Sequence, residues 1–153
     1  MDPPIVGIPN AQYTIKFNVG ENGGLTAHYS QIVINFDIVG NPDVYPPIPG
    51  GFISPFNVKV NDVVCTEALT VINTLGPARL VSITLTTPVN VPANGSVTIV
   101  FLPSCNVTNP NTVGNYRLEL STSIETTPIK TRYFSLFSGI GQPEVRFPPS
   151  CTP

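Results

Sequence analysis

The chain carries one histidine, His28, and three cysteines, Cys65, Cys105 and Cys151. These are the side chains best suited to nucleophilic or metal chemistry. A histidine activates a hydroxyl or thiol when a third group orients its ring, yet His28 sits in the turn-like "GGLTAHYS" with no acidic residue beside it. It is expected on the surface or rim of the fold. The cysteines lack C-x-x-C spacing, and the 9 acidic residues are dispersed rather than gathered in an Asp-rich loop. Neither a zinc nor a calcium site is therefore expected. "GENGG", residues 20 to 24, lacks the Lys-Ser and the helix of a phosphate-binding loop and is expected to form a hairpin turn. No catalytic residue, cofactor or metal follows from these patterns, and the chain is not expected to be an enzyme.

The cysteines point instead to cross-linking. In an oxidising setting an odd number leaves at least one thiol free or bonded to another chain. A bond between Cys65 and Cys105 closes a loop of about 40 residues, worth roughly 4 kcal/mol in the chain-entropy account when unstrained. Cys151, in the near-terminal "PPSCTP", is the best candidate for a bond between chains.

Positioning such groups requires a core, and the composition supplies one. Hydrophobic residues make up 41% of the 153 and charged residues 10%, against about 25% charged in an average soluble domain. A surface rich in Thr, Ser and Asn is expected, as in many extracellular β-proteins. The net charge of -2 is spread singly, so there is no basic stripe to follow a phosphate backbone and no nucleic-acid partner is expected. No apolar run approaches the roughly 18 to 20 residues that cross a bilayer, so membrane insertion is not expected. "MDPPIVGIPN" has neither the basic start nor the long apolar middle of a signal peptide. Export is expected through a leader already removed or by some other route.

Several segments alternate with period two, the mark of half-buried strands. Tyr13, Ile15, Phe17 and Val19 share one face, and so do Ile32, Ile34, Phe36 and Ile38. Val81, Ile83 and Leu85 follow, then Val97, Ile99 and Phe101, then Tyr116, Leu118 and Leu120, and finally Phe134 with Leu136. Between them lie "NGG", "PPIPGG", "GP", "PANG" and "NPNTVGN", clusters in which Gly supplies positive φ and Pro blocks ladder pairing. "NDVVCTEALTVINTLGP", residues 61 to 77, also fits a helix capped by Asp62 and stopped at Gly76. Its β-branched residues and strand neighbours favour strand. The expected fold is all-β: an immunoglobulin-like antiparallel β-sandwich with Greek-key connections. It occupies residues 12 to 136, between an N-terminal extension, 1 to 11, and a Pro-rich C-terminal extension, 137 to 153, that holds Cys151.

"NPNTVGNYRLELSTS", residues 109 to 123, couples a turn containing Gly114 to Tyr116 at the start of a strand. That is the layout of a tyrosine corner, in which the ring is buried and the hydroxyl returns to a backbone group of the loop just crossed. Two residues on, where an antibody domain has a cysteine, this chain has Leu118. Together with "AQYTIKFNV", "FNVKVNDVV" and "VSITLTTPVNVPANGSVTIVF", the stretch "VTNPNTVGNYRLELSTSIETTPIKTRYFSL" resembles the β-sandwich module recurrent in secreted and surface-layer-associated proteins of Gram-positive bacteria. The resemblance covers about residues 11 to 136 and implies a building block of the cell envelope with no catalytic residues to transfer. The cysteines and the two tails depart from it.

Each tail carries a short apolar piece: Ile5, Val6 and Ile8 in "IVGI", and Val145 and Phe147 in "EVRF". An extended tail of about 16 residues reaches roughly 50 Å, enough to cross a neighbouring domain and add a strand to an open sheet edge. The expected function is a structural subunit of an extracellular filament or cell-surface assembly, polymerising with itself by strand addition and locked by disulfides, on a cell or spore surface. The alternative is a passive structural or adhesive module of a larger surface-layer-associated protein. Asn94-Gly-Ser96 and Asn106-Val-Thr108 match the N-glycosylation pattern. Attachment to glycan or envelope stays open, although the chain has no Trp and its 5 Tyr are dispersed.

Overall fold

A computed structural model of the chain describes residues 4–37, 52–74 and 80–138. It is all-β. The strands are β1 (Tyr13–Asn18), β2 (Gln31–Asp37), β3 (Val58–Val60), β4 (Val63–Val64), β5 (Thr70–Thr74), β6 (Leu80–Thr86), β7 (Ser96–Phe101), β8 (Gly114–Thr122), β9 (Ile129–Lys130) and β10 (Phe134–Leu136). Two single turns of 3-10 helix, Pro55–Asn57 and Pro103–Cys105, lead into β3 and out of β7. One sheet has the order β1-β7-β3-β4 and the other β10-β8-β2-β6-β5, with β9 also along β8. The strand pairs are antiparallel throughout.

Period-two alternation decides what each sheet buries, because successive side chains leave a strand on opposite faces. Register then aligns the apolar rows. Tyr13, Phe101 and Val58 lie abreast in the first sheet, as do Ile15, Ile99 and Val60. In the second, Leu120, Ile34 and Ile83 form one row, and Leu118 stands beside Phe36. These residues are buried and belong to one core shared by the two sheets. Tyr13 and Phe36 join the sheets directly, edge to face with ring centroids 5.9 Å apart.

One local expectation changes. "GENGG" is a turn, with Gly23 N–H bonded to Gly20 O at 3.1 Å, but it does not close a hairpin. β1 lies in one sheet and β2 in the other, so the segment carries the chain between sheets. Glycine frees the backbone to turn without fixing which strand comes next. Residues 61 to 74 form turns and strands with no helix, as the β-branched residues favoured, and Gly76 lies outside the described residues. Asn61 and Asp62 both have positive φ, 47° and 66°, the two-residue turn whose twist suits a hairpin, and they link β3 to β4. The Asn61 amide secures the turn, accepting from Thr98 N–H at 2.7 Å and donating to Ser96 O at 3.0 Å.

β9 and β10 are two parts of one interrupted strand. Glu119 faces Lys130 and Tyr116 faces Phe134. Between those pairs, Arg117 and Leu118 oppose Thr131, Arg132 and Tyr133, the one-residue excess of a β-bulge. The bulge resets the alternation, so Ile129 and Phe134 keep the same face despite their odd spacing.

Ile34, fully buried on the central strand β2, tests this layout. Ile34→Ala should lower unfolding free energy by about 2–5 kcal/mol. Ile72→Ala, at a position 50% exposed on the edge strand β5, should change it by much less, both read by urea denaturation.

Candidate functional site

The N-terminal apolar segment is bonded to its own chain. Ile5 bridges Phe137 in parallel, Val6 N–H donates to Phe137 O at 2.9 Å and Phe137 N–H donates to Pro4 O at 3.0 Å. Gly7, at φ 64°, turns the segment so that its N–H reaches Pro110 O at 3.0 Å. A side chain there would meet Asn111 Oδ1 at 2.9 Å. Ile5, Val6 and Ile8 are half-buried by these contacts. Val145, Phe147 and Cys151 lie outside the described residues.

The segment is held by a buried amide that no sequence pattern singled out. Asn109, with no exposed surface, accepts from the Tyr13 hydroxyl at 2.8 Å and donates from its amide to Ile5 O at 2.8 Å. Its backbone N–H donates to Ile8 O at 2.9 Å. Burial pushes the Tyr13 phenol well above its ordinary range, with Tyr116 adding to the effect, so Tyr13 remains a donor. Tyr116 works from the same connection, which carries the chain from β7 in one sheet to β8 in the other. Its hydroxyl donates to Thr112 O at 2.6 Å, and its ring stacks on Phe134 at 5.9 Å. Gly114 is the first residue of β8, paired with Leu136. A side chain at Gly114 would make only ordinary contact with the Tyr116 ring.

Cys65 and Cys105 are free thiols in this structure, not the bonded pair the loop length allowed. They flank the start of β3. Cys65 N–H bonds Val58 O at 2.9 Å, and Cys105 Sγ donates to Asn57 O at 3.3 Å. Both are almost wholly covered. Burial, reinforced by nearby Glu67, pushes the Cys65 thiol up to about 11. Burial also raises Cys105 to about 11 against the opposing effect of a backbone hydrogen bond at Leu102. Neither is therefore a ready nucleophile near neutral pH.

His28 has a partner 39 residues away that its sequence neighbourhood concealed. Its Nδ1 lies 2.9 Å from Glu67 Oε1, with both side chains well exposed, so the pair is worth little in stability. Among the described residues no group of three or more His, Cys, Asp or Glu is placed to hold a metal ion. No helix there is long and apolar enough to cross a membrane. Asn94 and Asn106 are both exposed and both at positive φ, 59° and 57°.

Among the described residues, the feature with the clearest capacity for binding is the outer edge of β1, which pairs with β7 on one side and with no strand on the other. Val19 N–H donates to Gly95 O at 3.0 Å, continuing the β1–β7 register. In an antiparallel ladder the N–H and C=O of one residue share an edge, and edges alternate along the strand. Tyr13, Ile15 and Phe17 thus bond toward β7, while the backbone groups of Thr14, Lys16 and Asn18 face outward. Gly20, next in that outward series, has its N–H held by the Glu125 carboxylate at 3.1 and 3.0 Å. A side chain at Gly20 or Gly23 would collide with that carboxylate.

Below the open edge lie two adjoining depressions of about 570 and 530 Å³ that share Phe17, Asn18, Leu120 and Ile129 in their walls. Leu118 and Leu120 of β8 provide an apolar base, and the bulged strand from Ile129 to Phe134 forms the far wall. The result is a groove between the edge strands of the two sheets. Alternation revealed the strands that border it but could not show which of them would be edges.

Asn109→Ala should lower stability by about 1–3 kcal/mol, the cost of leaving buried groups unpaired. It should also speed amide exchange at Val6 and Gly7, observable by hydrogen-exchange mass spectrometry. In a Cys151→Ser chain, a thiol reagent at pH 7 should leave native Cys65 and Cys105 unmodified and label both in denaturant. Their folded pKa values lie above the ordinary thiol value of 9.0. The unfolded chain therefore loses these protons first, and stability should fall as pH rises from about 9 toward 11. Comparison with known protein families, characterised proteins and solved structures finds no match to this chain.

Proposed function

We propose that the chain is a structural subunit of an extracellular filament or cell-surface assembly, built from copies of itself as a terminal tail completes a neighbour's sheet. The observation that carries this reading is the open β1 edge. Outward backbone groups above an apolar groove are what strand addition requires: main-chain bonds provide affinity, and alternate side chains entering the groove provide selectivity. A tail meeting an edge is a contact between unlike surfaces, and such contacts propagate as an open filament unless the rotation closes. The Tyr116 hydroxyl returned to Thr112 O at a sheet-to-sheet connection supports an immunoglobulin-like Greek-key sandwich. The weakly charged surface and the resemblance to envelope modules favour a cell-surface or spore-surface setting.

Disulfide locking has a specific arithmetic. Bonds from Cys151 to Cys151 stop at two chains. A longer covalent ladder needs Cys151 to reach Cys65 or Cys105 of a neighbour, and both are buried. The second reading, a passive structural or adhesive module of a larger surface protein, draws support from the N-terminal segment, which is already bonded to its own domain.

Negative-stain electron microscopy of the purified chain should show fibres, and non-reducing gels should show reductant-sensitive species that Cys151→Ser removes at least in part. Ladders beyond a dimer would mean that Cys65 or Cys105 takes part. A monomer in both assays at high concentration would refute the filament and leave the passive module.

A further inference from the structure

Resting on the filament reading, we propose that the groove beside β1 receives residues Glu144–Phe147 of a second copy as an added strand, with Val145 and Phe147 pointing into it. The groove has defined ends. At one, the Glu125 carboxylate occupies Gly20 N–H. At the other, Tyr13 is tied to Asn109, which in turn holds the N-terminal segment. Between them, Thr14, Lys16 and Asn18 offer three outward N–H and three outward C=O groups over five residues, about 17 Å of strand. "EVRF" fits that length, and its period-two apolar pair suits a groove based on Leu118 and Leu120.

The N-terminal "IVGI" is not the occupant, because its backbone already bonds Phe137, Pro110 and the Asn109 side chain. The direction of β10 favours a second copy over the chain's own tail. From Ile129 to Leu136 the chain runs along the far wall toward the Tyr13 end, then passes the groove to pair Phe137 with Ile5. To enter its own groove the tail must reverse. The five residues between Ser138 and Glu144, extended, span about 20 Å, enough to carry Glu144 into the groove of an adjoining copy without reversing.

Full-length variants test this with one end disabled at a time. Val145→Asp with Phe147→Asp removes the donor. Ile129→Asp, at a position 51% exposed on the groove wall, spoils the acceptor with little risk to folding. Lys16→Pro is a second acceptor variant that removes an outward N–H without touching the β7 ladder. With reductant present, each variant alone should lose fibres and remain monomeric by light scattering. Mixing donor and acceptor variants should give a one-to-one dimer and nothing longer, since one live end of each remains. If both folded acceptor variants still form fibres like the parent, the groove is not the site, although the filament reading survives. If the parent forms no fibres, the filament reading itself fails. A monomeric parent whose Thr14, Lys16 and Asn18 amides resist exchange until Val145→Asp and Phe147→Asp are introduced would show the tail in its own groove, overturning the second copy as occupant.

Discussion

A buried amide must find partners inside the protein or destabilise it, and one end of this fold is organised around that requirement at Asn109. Its side chain ties the first residue of β1 to the N-terminal segment, while its own backbone lies in the connection that carries the chain between sheets. Three stretches distant in sequence therefore share one polar centre. The Tyr116 hydroxyl secures the same connection from its other side. This connection is one of the crossings between the sheets, so fixing it helps to hold their apolar rows face to face.

The contrast between the two ends of β1 follows from the same economy of hydrogen bonds. Past its last residue, the outward N–H of Gly20 is satisfied by a carboxylate from the far side of the sandwich. Between that point and Tyr13 the outward groups meet no strand among the described residues. Proteins commonly blunt such edges with charge. Here the exposed edge side chains are Thr14, Lys16 and Asn18, a single charge among three, which is weak protection for a strand above an apolar depression.

Much of the sheet architecture was legible because period-two alternation is a local property. The rows Ile32-Ile34-Phe36 and Val97-Ile99-Phe101 could be read directly, and so could the turn that precedes Tyr116. Sheet membership could not. "GENGG" announces a turn, but only the distant register of β1 with β7 makes it a crossing between sheets. The bonds from Glu125 to Gly20, from Tyr13 to Asn109 and from His28 to Glu67 join residues 105, 96 and 39 apart, and nothing beside either partner marks them. Cysteine spacing likewise gives the size of a loop and no geometry, so a pair that could enclose about 40 residues is instead found as two buried thiols. In residues 61 to 77 the β-branched residues favoured strand while the apolar spacing also fitted a helix, and Asp62, read there only as a helix cap, proves to be half of a hairpin turn.

The parallel bridge between Ile5 and Phe137 has a mechanical consequence. A pull on the chain beyond Ser138, directed along β10, would load the Val6–Phe137 and Phe137–Pro4 hydrogen bonds together with the β10–β8 ladder, because all of them lie across the line of force. Bonds strained side by side in this way share a load that would break them one by one if the strand were peeled from its end. The N-terminal segment then acts as a clamp on the last strand, positioned where tension transmitted through a C-terminal connection would enter the domain.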